Sequence, residues 1–337
     1  MKEAVIKLTD KCPCHCNFCE SGNGLFRNHR DLPDKQIFST ADLLIDNGLQ
    51  ICVISGGEAL LRKQLANNLI YHLKLHGVYV VLNVSGVLFS KQSIDDFLTC
   101  NPNLIVFSLD SVIAEKHDRF RGVKGLFDTV KRTIKDIIER ESTMAVGVRF
   151  VMTRHNYSEI GDMIRMCSSW NIDCLKITNI ENDATMNYSL SEVQSKTLFE
   201  TVLPDAISAV KQVVFQNELL REEAMNKLSG YMSGMSASDF SANLFAPSAD
   251  LHATCPLGGQ FVLVGGNGNI YPCCESEHHG MPILGIAGNC SIEEIETNLA
   301  KLRFDRLEYC KHCTIQRNIQ IDFTTRCIVV NDRCRTK

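Results

Sequence analysis

Six short apolar runs, each followed by a stretch of helical or loop character, dominate the first 180 residues and confine them to a parallel α/β architecture. Val5–Thr9 reads as a strand running directly into a cysteine-rich segment. Ile51–Ser55 is a continuous apolar run ending at Gly56-Gly57, as strands buried on both faces do. Val78–Val84 follows Gly77, which reads as the C-cap of a helix over Leu61–His76. Leu104–Leu109, Val146–Met152 and Leu175–Ile180 supply three more strands. Within 123–140, Phe127, Val130, Ile134, Ile137 and Ile138 recur at helical spacing, with Lys131, Lys135 and Glu139 off that stripe. Strand–helix alternation implies right-handed crossovers and a parallel sheet. Six such units make either a doubly wound sheet or a partial barrel.

The pattern changes after residue 180. Residues 181–250 lose strand character and read as two helices, about 190–214 and 216–229, followed by a Ser/Gly/Met-rich linker. Residues 251–337 are rich in Gly and Cys. Phe261–Val264 and Asn269–Tyr271 flank Gly265-Gly266-Asn267-Gly268, a β-hairpin signal. Ser291-Ile-Glu-Glu294 is a capping box opening a helix to about Phe304. The expected division is therefore 1–180, 181–250 and 251–337.

Composition narrows the function classes. Hydrophobic residues are 45% and charged residues 22%, so a sizeable core can form. The net charge of −4 comes without any Lys/Arg block, which argues against nucleic-acid binding. No apolar run reaches transmembrane length and no export signal is visible, so a cytoplasmic location is expected. Sixteen cysteines in such a chain point to metal or redox chemistry rather than disulfides.

Cys12-Pro-Cys14-His-Cys16-Asn-Phe-Cys19 contains a C-x3-C-x2-C spacing. Three thiolates on one loop can hold three irons of a cubane cluster and leave the fourth open, whereas ordinary ferredoxin clusters use four cysteines and only move electrons. The same residues could form a zinc knuckle. Cys14 lies off the pattern and reads as an incidental loop cysteine.

This spacing, with Phe18 as the aromatic residue before the last cysteine, resembles the radical S-adenosylmethionine (SAM) superfamily. The resemblance implies that Cys12, Cys16 and Cys19 hold a [4Fe–4S] cluster. The open iron would chelate SAM, and reduction would release a 5′-deoxyadenosyl radical that abstracts hydrogen from substrate. It also selects the partial (β/α)6 barrel. Gly56-Gly57-Glu58, ending the second strand, matches a Gly-Gly-Glu motif of the family, its glycines allowing close backbone approach and its carboxylate a partner for the SAM ammonium. Ser85 ends the third strand, and Ser108 and Asp110 the fourth, where relatives place polar groups near SAM. The stretch His117–Gly122 followed by Gly125–Asp128 resembles the loop and helix after this strand in SPASM-type members. Arg149 is either a partner for the SAM carboxylate or an outward-facing strand residue.

Cys255, Cys273, Cys310 and Cys313 resemble the ligands of a twitch domain, a shortened SPASM domain with one auxiliary [4Fe–4S] cluster; by spacing alone a zinc ribbon competes. Cys327 and Cys334 depart from the full SPASM pattern. They could bind a second auxiliary cluster or donate a hydrogen atom to a substrate radical. Cys52, Cys100, Cys167 and Cys174 read as core fillers.

The resemblance implies an enzyme acting on a peptide or small-molecule natural product, by oxidation or by radical epimerisation with a cysteine donor. Flavodoxin or ferredoxin would supply electrons. Because the first strand starts at once, no leader-binding region is expected ahead of it, and a peptide would need a separate leader-binding protein. A non-catalytic iron–sulfur or zinc scaffold is the reading of another class, and it needs no open iron and no Gly56–Glu58.

Overall fold

The computed structural model describes residues 1–19, 30–89, 94–95, 100–140, 143–180, 187–232, 236–241, 259–273, 277, 281–302, 328–331 and 333. Strands β1 (Glu3–Lys7), β2 (Ile51–Ser55), β3 (Tyr79–Val84), β4 (Leu104–Ser108), β5 (Ala145–Met152) and β6 (Cys174–Asn179) lie side by side in chain order, all parallel. A doubly wound sheet reverses direction at a switch point. This order never reverses, so every crossover steps the same way. That is the winding of a partial (β/α)6 barrel.

Elements from the C-terminal segment join both edges of the same sheet. β7 (Phe261–Val264) pairs in parallel with β1, and β8 (Asn269–Tyr271) and β9 (Gly285–Ile286) continue it antiparallel. The expected hairpin of 261–271 is present with those boundaries. At the far edge β10 (Ile328–Val329) runs antiparallel to β6. It is tied there by Arg333, whose Nε and Nη2 donate to the buried Asp173 carboxylate at 2.9 and 3.0 Å.

β1 leaves the ladder earlier than its apolar run suggests. After Leu8, whose N–H donates to Ser55 O at 3.0 Å, the chain turns. The Thr9 and Lys11 carbonyls then accept from the Gly57 and Glu58 N–H groups at 2.8 and 2.9 Å. The helix after β2 spans Lys63–Leu75, with Gly77 left-handed (φ +75°) just beyond it, as its cap reading requires. The helix Leu126–Glu139 buries Phe127, Val130, Ile134 and Ile137 of the expected stripe, and Ile138 is half-buried at its edge.

The middle segment is helical from Glu192 to Gln212, with a π-turn at Leu198–Val202. Pro204 follows that turn and has no N–H to return to Glu200, so the ladder widens there. Ser191 and Gln194 form a reciprocal capping box at its start. A second helix covers Glu218–Met232. The Ser291 hydroxyl caps the helix Ile292–Ala300, shorter than the expected run to about Phe304. The linker expected before residue 250 falls largely outside the described residues. Cys52, Cys167 and Cys174 are buried in the core and Cys100 is half-buried. Among the described residues no helix is long and apolar enough to cross a membrane.

Candidate active site at the carboxyl ends of the parallel strands

The Cys12–Cys19 loop emerges from β1 at the carboxyl end of the sheet, where parallel α/β folds place their ligands. Cys16 is buried and Cys12 and Cys19 are half-buried; the Cys19 N–H donates to Cys16 O at 3.2 Å. Cys14, read from sequence as incidental, is also buried, with its thiol between those of Cys12 and Cys16. Its hydrogen bonding lowers the Cys12 pKa, pushes its own up to about 11, and together with burial raises that of Cys16. The donor set is sulfur alone, and among the described residues no three His, Cys, Asp or Glu side chains close on a single ion. Such a set suits soft iron–sulfur ligation, in which each thiolate takes a different iron.

Two neighbouring segments clamp this loop. Cβ atoms added to Gly56 and Gly57 would lie 2.3 Å from Thr9 O and 2.4 Å from Lys11 O, so the end of β2 packs backbone to backbone on the approach to Cys12. The space beside these glycines is taken by the chain itself, a closer demand than the ligand approach their motif suggests. On the other side Arg121 O accepts from His15 N–H at 2.9 Å, and a Cβ on Gly122 would meet His15 Cβ at 2.8 Å.

The helix Ala114–Arg121 aims two buried side chains at the strand ends, one turn apart. Arg121 Nη1 donates to Cys16 Sγ at 3.6 Å, Nη2 reaches Asp110 Oδ2 at 2.6 Å, and the guanidinium lies 5.6 Å from the Phe18 ring centre. Burial works against its charge, but Asp110 and the cysteine sulfurs outweigh burial and raise its pKa. Asp110 is fully buried; Oδ1 also accepts from Val151 N–H at 3.0 Å, and its own N–H donates to His117 Nδ1 at 3.1 Å. Phe18 meets Phe120 and Tyr188 edge-on at 6.4 and 6.1 Å.

Glu58 is buried and caps the turn of Ala59–Arg62, Oε1 accepting from Leu60 N–H at 3.1 Å. Its Oε2 accepts from Ser85 N–H at 2.9 Å and from the Ser85 hydroxyl, so Glu58 ties the end of β2 to the end of β3. Burial raises its pKa and the Ser85 hydrogen bonds oppose the rise. Ser108 and Arg149 stand opposite each other in the β4–β5 register, both half-buried. Arg149 Nε has no hydrogen-bond partner among the described residues.

The structure thus gathers Cys12, Cys16, Cys19, Phe18, Gly56, Gly57, Glu58, Ser85 and Asp110 through direct contacts, and sets Ser108 and Arg149 on adjoining strands. Arg121 and His117 carry no individual role in the sequence reading. The signal that pointed to them was the resemblance of the His117–Gly122 stretch, and the structure sets both on the helix Ala114–Arg121. Cys273 is buried beyond β8, its thiol 3.9 Å from Met281 Sδ. Cys255, Cys310, Cys313, Cys327 and Cys334 lie outside the described residues.

Comparison with known proteins bears on this arrangement. The Radical SAM superfamily matches residues 6–167. The antilisterial bacteriocin subtilosin biosynthesis protein AlbA of Bacillus subtilis (strain 168) is 36% identical over 165 residues, 48% of this chain and 35% of that protein. The PqqA peptide cyclase of Bradyrhizobium diazoefficiens is 24% identical over 333 residues, 95% of this chain and 79% of the cyclase. The crystal structure of Streptococcus suis SuiB bound to precursor peptide SuiA superposes with a TM-score of 0.62 at 18% identity, over 87% of this chain and 64% of that one, a likeness of fold. Residues 6–167 are thus similar to the Radical SAM superfamily.

Proposed function

We propose that this chain reductively cleaves SAM at a [4Fe–4S] cluster held by Cys12, Cys16 and Cys19, and uses the resulting radical to modify a peptide. The observation that carries the reading is the three-thiol loop, clamped between Gly56–Glu58 and Arg121–Gly122 inside the stretch similar to the Radical SAM superfamily. A cluster held there would supply the electron for splitting SAM into methionine and a 5′-deoxyadenosyl radical able to take a hydrogen atom from substrate. The residues provide position and exclusion of water. Glu58 and Ser85 fix the ends of β2 and β3, Arg121 braces Cys16, and Phe18 forms an aromatic wall. Ser108 and Arg149 offer polar groups to the SAM ribose and carboxylate.

A peptide substrate is favoured over a small molecule because one relative is named a peptide cyclase, another is named for bacteriocin biosynthesis, and a structure of this fold holds a precursor peptide. Cys255, Cys273, Cys310 and Cys313 are assigned to an auxiliary cluster, which suits oxidation by taking the second electron from a substrate radical. Cys327 and Cys334 remain the candidates for a hydrogen donor in an epimerisation.

Anaerobic reconstitution with iron and sulfide, followed by dithionite and SAM, should yield 5′-deoxyadenosine and methionine. Replacing Cys12, Cys16 and Cys19 together by Ala should abolish both products while iron bound at the C-terminal cysteines remains. Cleavage that survives in this variant would show the triad to be misassigned.

A further inference from the structure

We propose that Arg121 is a positioning residue that sets how readily the centre at Cys12, Cys16 and Cys19 accepts an electron, with Asp110 as its counterweight. The inference rests on the cysteine assignment above and adds to it a control of redox poise.

Of the groups around the loop, Arg121 alone brings a buried positive charge to a cluster sulfur in the described contacts. Nη1 is 3.6 Å from Cys16 Sγ and Nη2 is 2.6 Å from Asp110 Oδ2. The side chain is 10% exposed and that of Asp110 is 0% exposed, so water screens neither strongly. The position is over-determined. Phe18 lies against the guanidinium at 5.6 Å, and the Arg121 carbonyl is pinned by His15. Asp110 in turn is held by Val151 N–H at 3.0 Å.

Hydrogen bonds to cluster sulfurs, local charge and solvent exposure are the levers that set an iron–sulfur potential. Adding one electron makes the centre more negative. A buried guanidinium at one ligand sulfur stabilises that state, and the Asp110 carboxylate behind it limits the effect. Two acceptors lie on different nitrogens of one planar fork, a geometry that an ammonium cannot reproduce. The step is the transfer of one electron from an external low-potential reductant, dithionite in the test; no bond is made or broken.

The experiment is anaerobic potentiometry of the reconstituted full chain without SAM, followed by EPR, for the wild type, Arg121→Gln, Arg121→Lys, Asp110→Asn and the Cys12/Cys16/Cys19→Ala variant. Arg121→Gln should be harder to reduce. At the wild-type midpoint its reduced-to-oxidised ratio should fall about tenfold, a shift of about 59 mV for one electron. Asp110→Asn, which keeps the acceptor for Val151, should shift the opposite way. Arg121→Lys should fall between wild type and Arg121→Gln. If Arg121→Gln fails to hold iron, the positive shift of Asp110→Asn still carries the proposal. Unchanged midpoints overturn it. Shifts of the same sign in Arg121→Gln and Asp110→Asn also overturn it, because they report loosened packing around the loop. The triple cysteine variant must lose the signal that Arg121→Gln moves. If it retains that signal, the cysteine assignment has failed and not the role of Arg121 alone.

Discussion

His117 is fully buried beneath the ends of β4 and β5, and its Nδ1 accepts the Asp110 N–H. The ring proton must therefore sit on Nε2, which has no hydrogen-bond partner among the described residues. Burial, reinforced by Arg121 and opposed by Asp110 and Asp118, pushes its pKa down to about 4 from 6.5. Between these values the unfolded chain binds a proton that the folded chain refuses. Stability is accordingly complete above pH 6.5 and declines as the pH falls toward 4. At 1.36 kcal/mol per unit, His117 accounts for about 3 kcal/mol of that loss. Denaturant titrations at pH 7 and 4.5 should show wild type losing about 2–3 kcal/mol more than His117→Gln. Parallel losses in the two proteins would show that His117 is protonated in the fold. The sequence marked His117–Gly122 only as part of a loop-and-helix stretch, and the helix Ala114–Arg121 puts His117 and Arg121 on one face. Their partners were not legible, because Asp110 and Cys16 reach them only through tertiary packing.

At the level of elements, the end of β2 acts as a spacer for the cysteine loop. Gly57 leaves 2.4 Å between a would-be Cβ and the Lys11 carbonyl oxygen, and the obstruction is backbone that cannot swing aside. Gly57→Ala should cost roughly 2 kcal/mol or more, at the upper end of overpacking effects. It should also lower iron incorporation, since the loop and the end of β2 can no longer meet. Iron content equal to wild type at unchanged stability would contradict the clamp. The Gly-Gly-Glu motif was readable as a site marker, but its contact was not. A local motif does not state which backbone will occupy the space that missing side chains leave. Strands β1–β6 and the two hairpin arms were legible within a residue or two, since their apolar runs are bounded by turn residues, whereas the two-residue β9 and β10 were not. The end of β1 was misjudged because Leu8 is as apolar as the strand and the turn after it depends on β2.

For the molecule as a whole, β1 is an interior strand, with β2 on one side and β7 on the other. That adjacency was hidden from sequence, which shows Phe261–Val264 as a hairpin arm and carries no local mark of a distant parallel partner. Lys7 at the end of β1 pairs with Glu277, whose side chain is 2% exposed, and the Asp10 carboxylate packs on Gly266. Glu277→Gln would leave the Lys7 ammonium largely buried without its counter-charge, a change of roughly 3 kcal/mol. Hydrogen exchange should then accelerate first across 261–271. Uniform acceleration over β1–β6 would argue that the ion pair does not anchor this edge.

The placement of β1 also dictates an order of events during synthesis. Glu3 meets Ile51 on one side but Phe261 on the other. A ribosome therefore delivers one neighbour of β1 early and the other only after Phe261–Val264 has emerged. Until then β1 is an open sheet edge, available to other nascent chains. Truncation before Phe261 therefore converts the strand that carries the cysteine loop into an adhesive border.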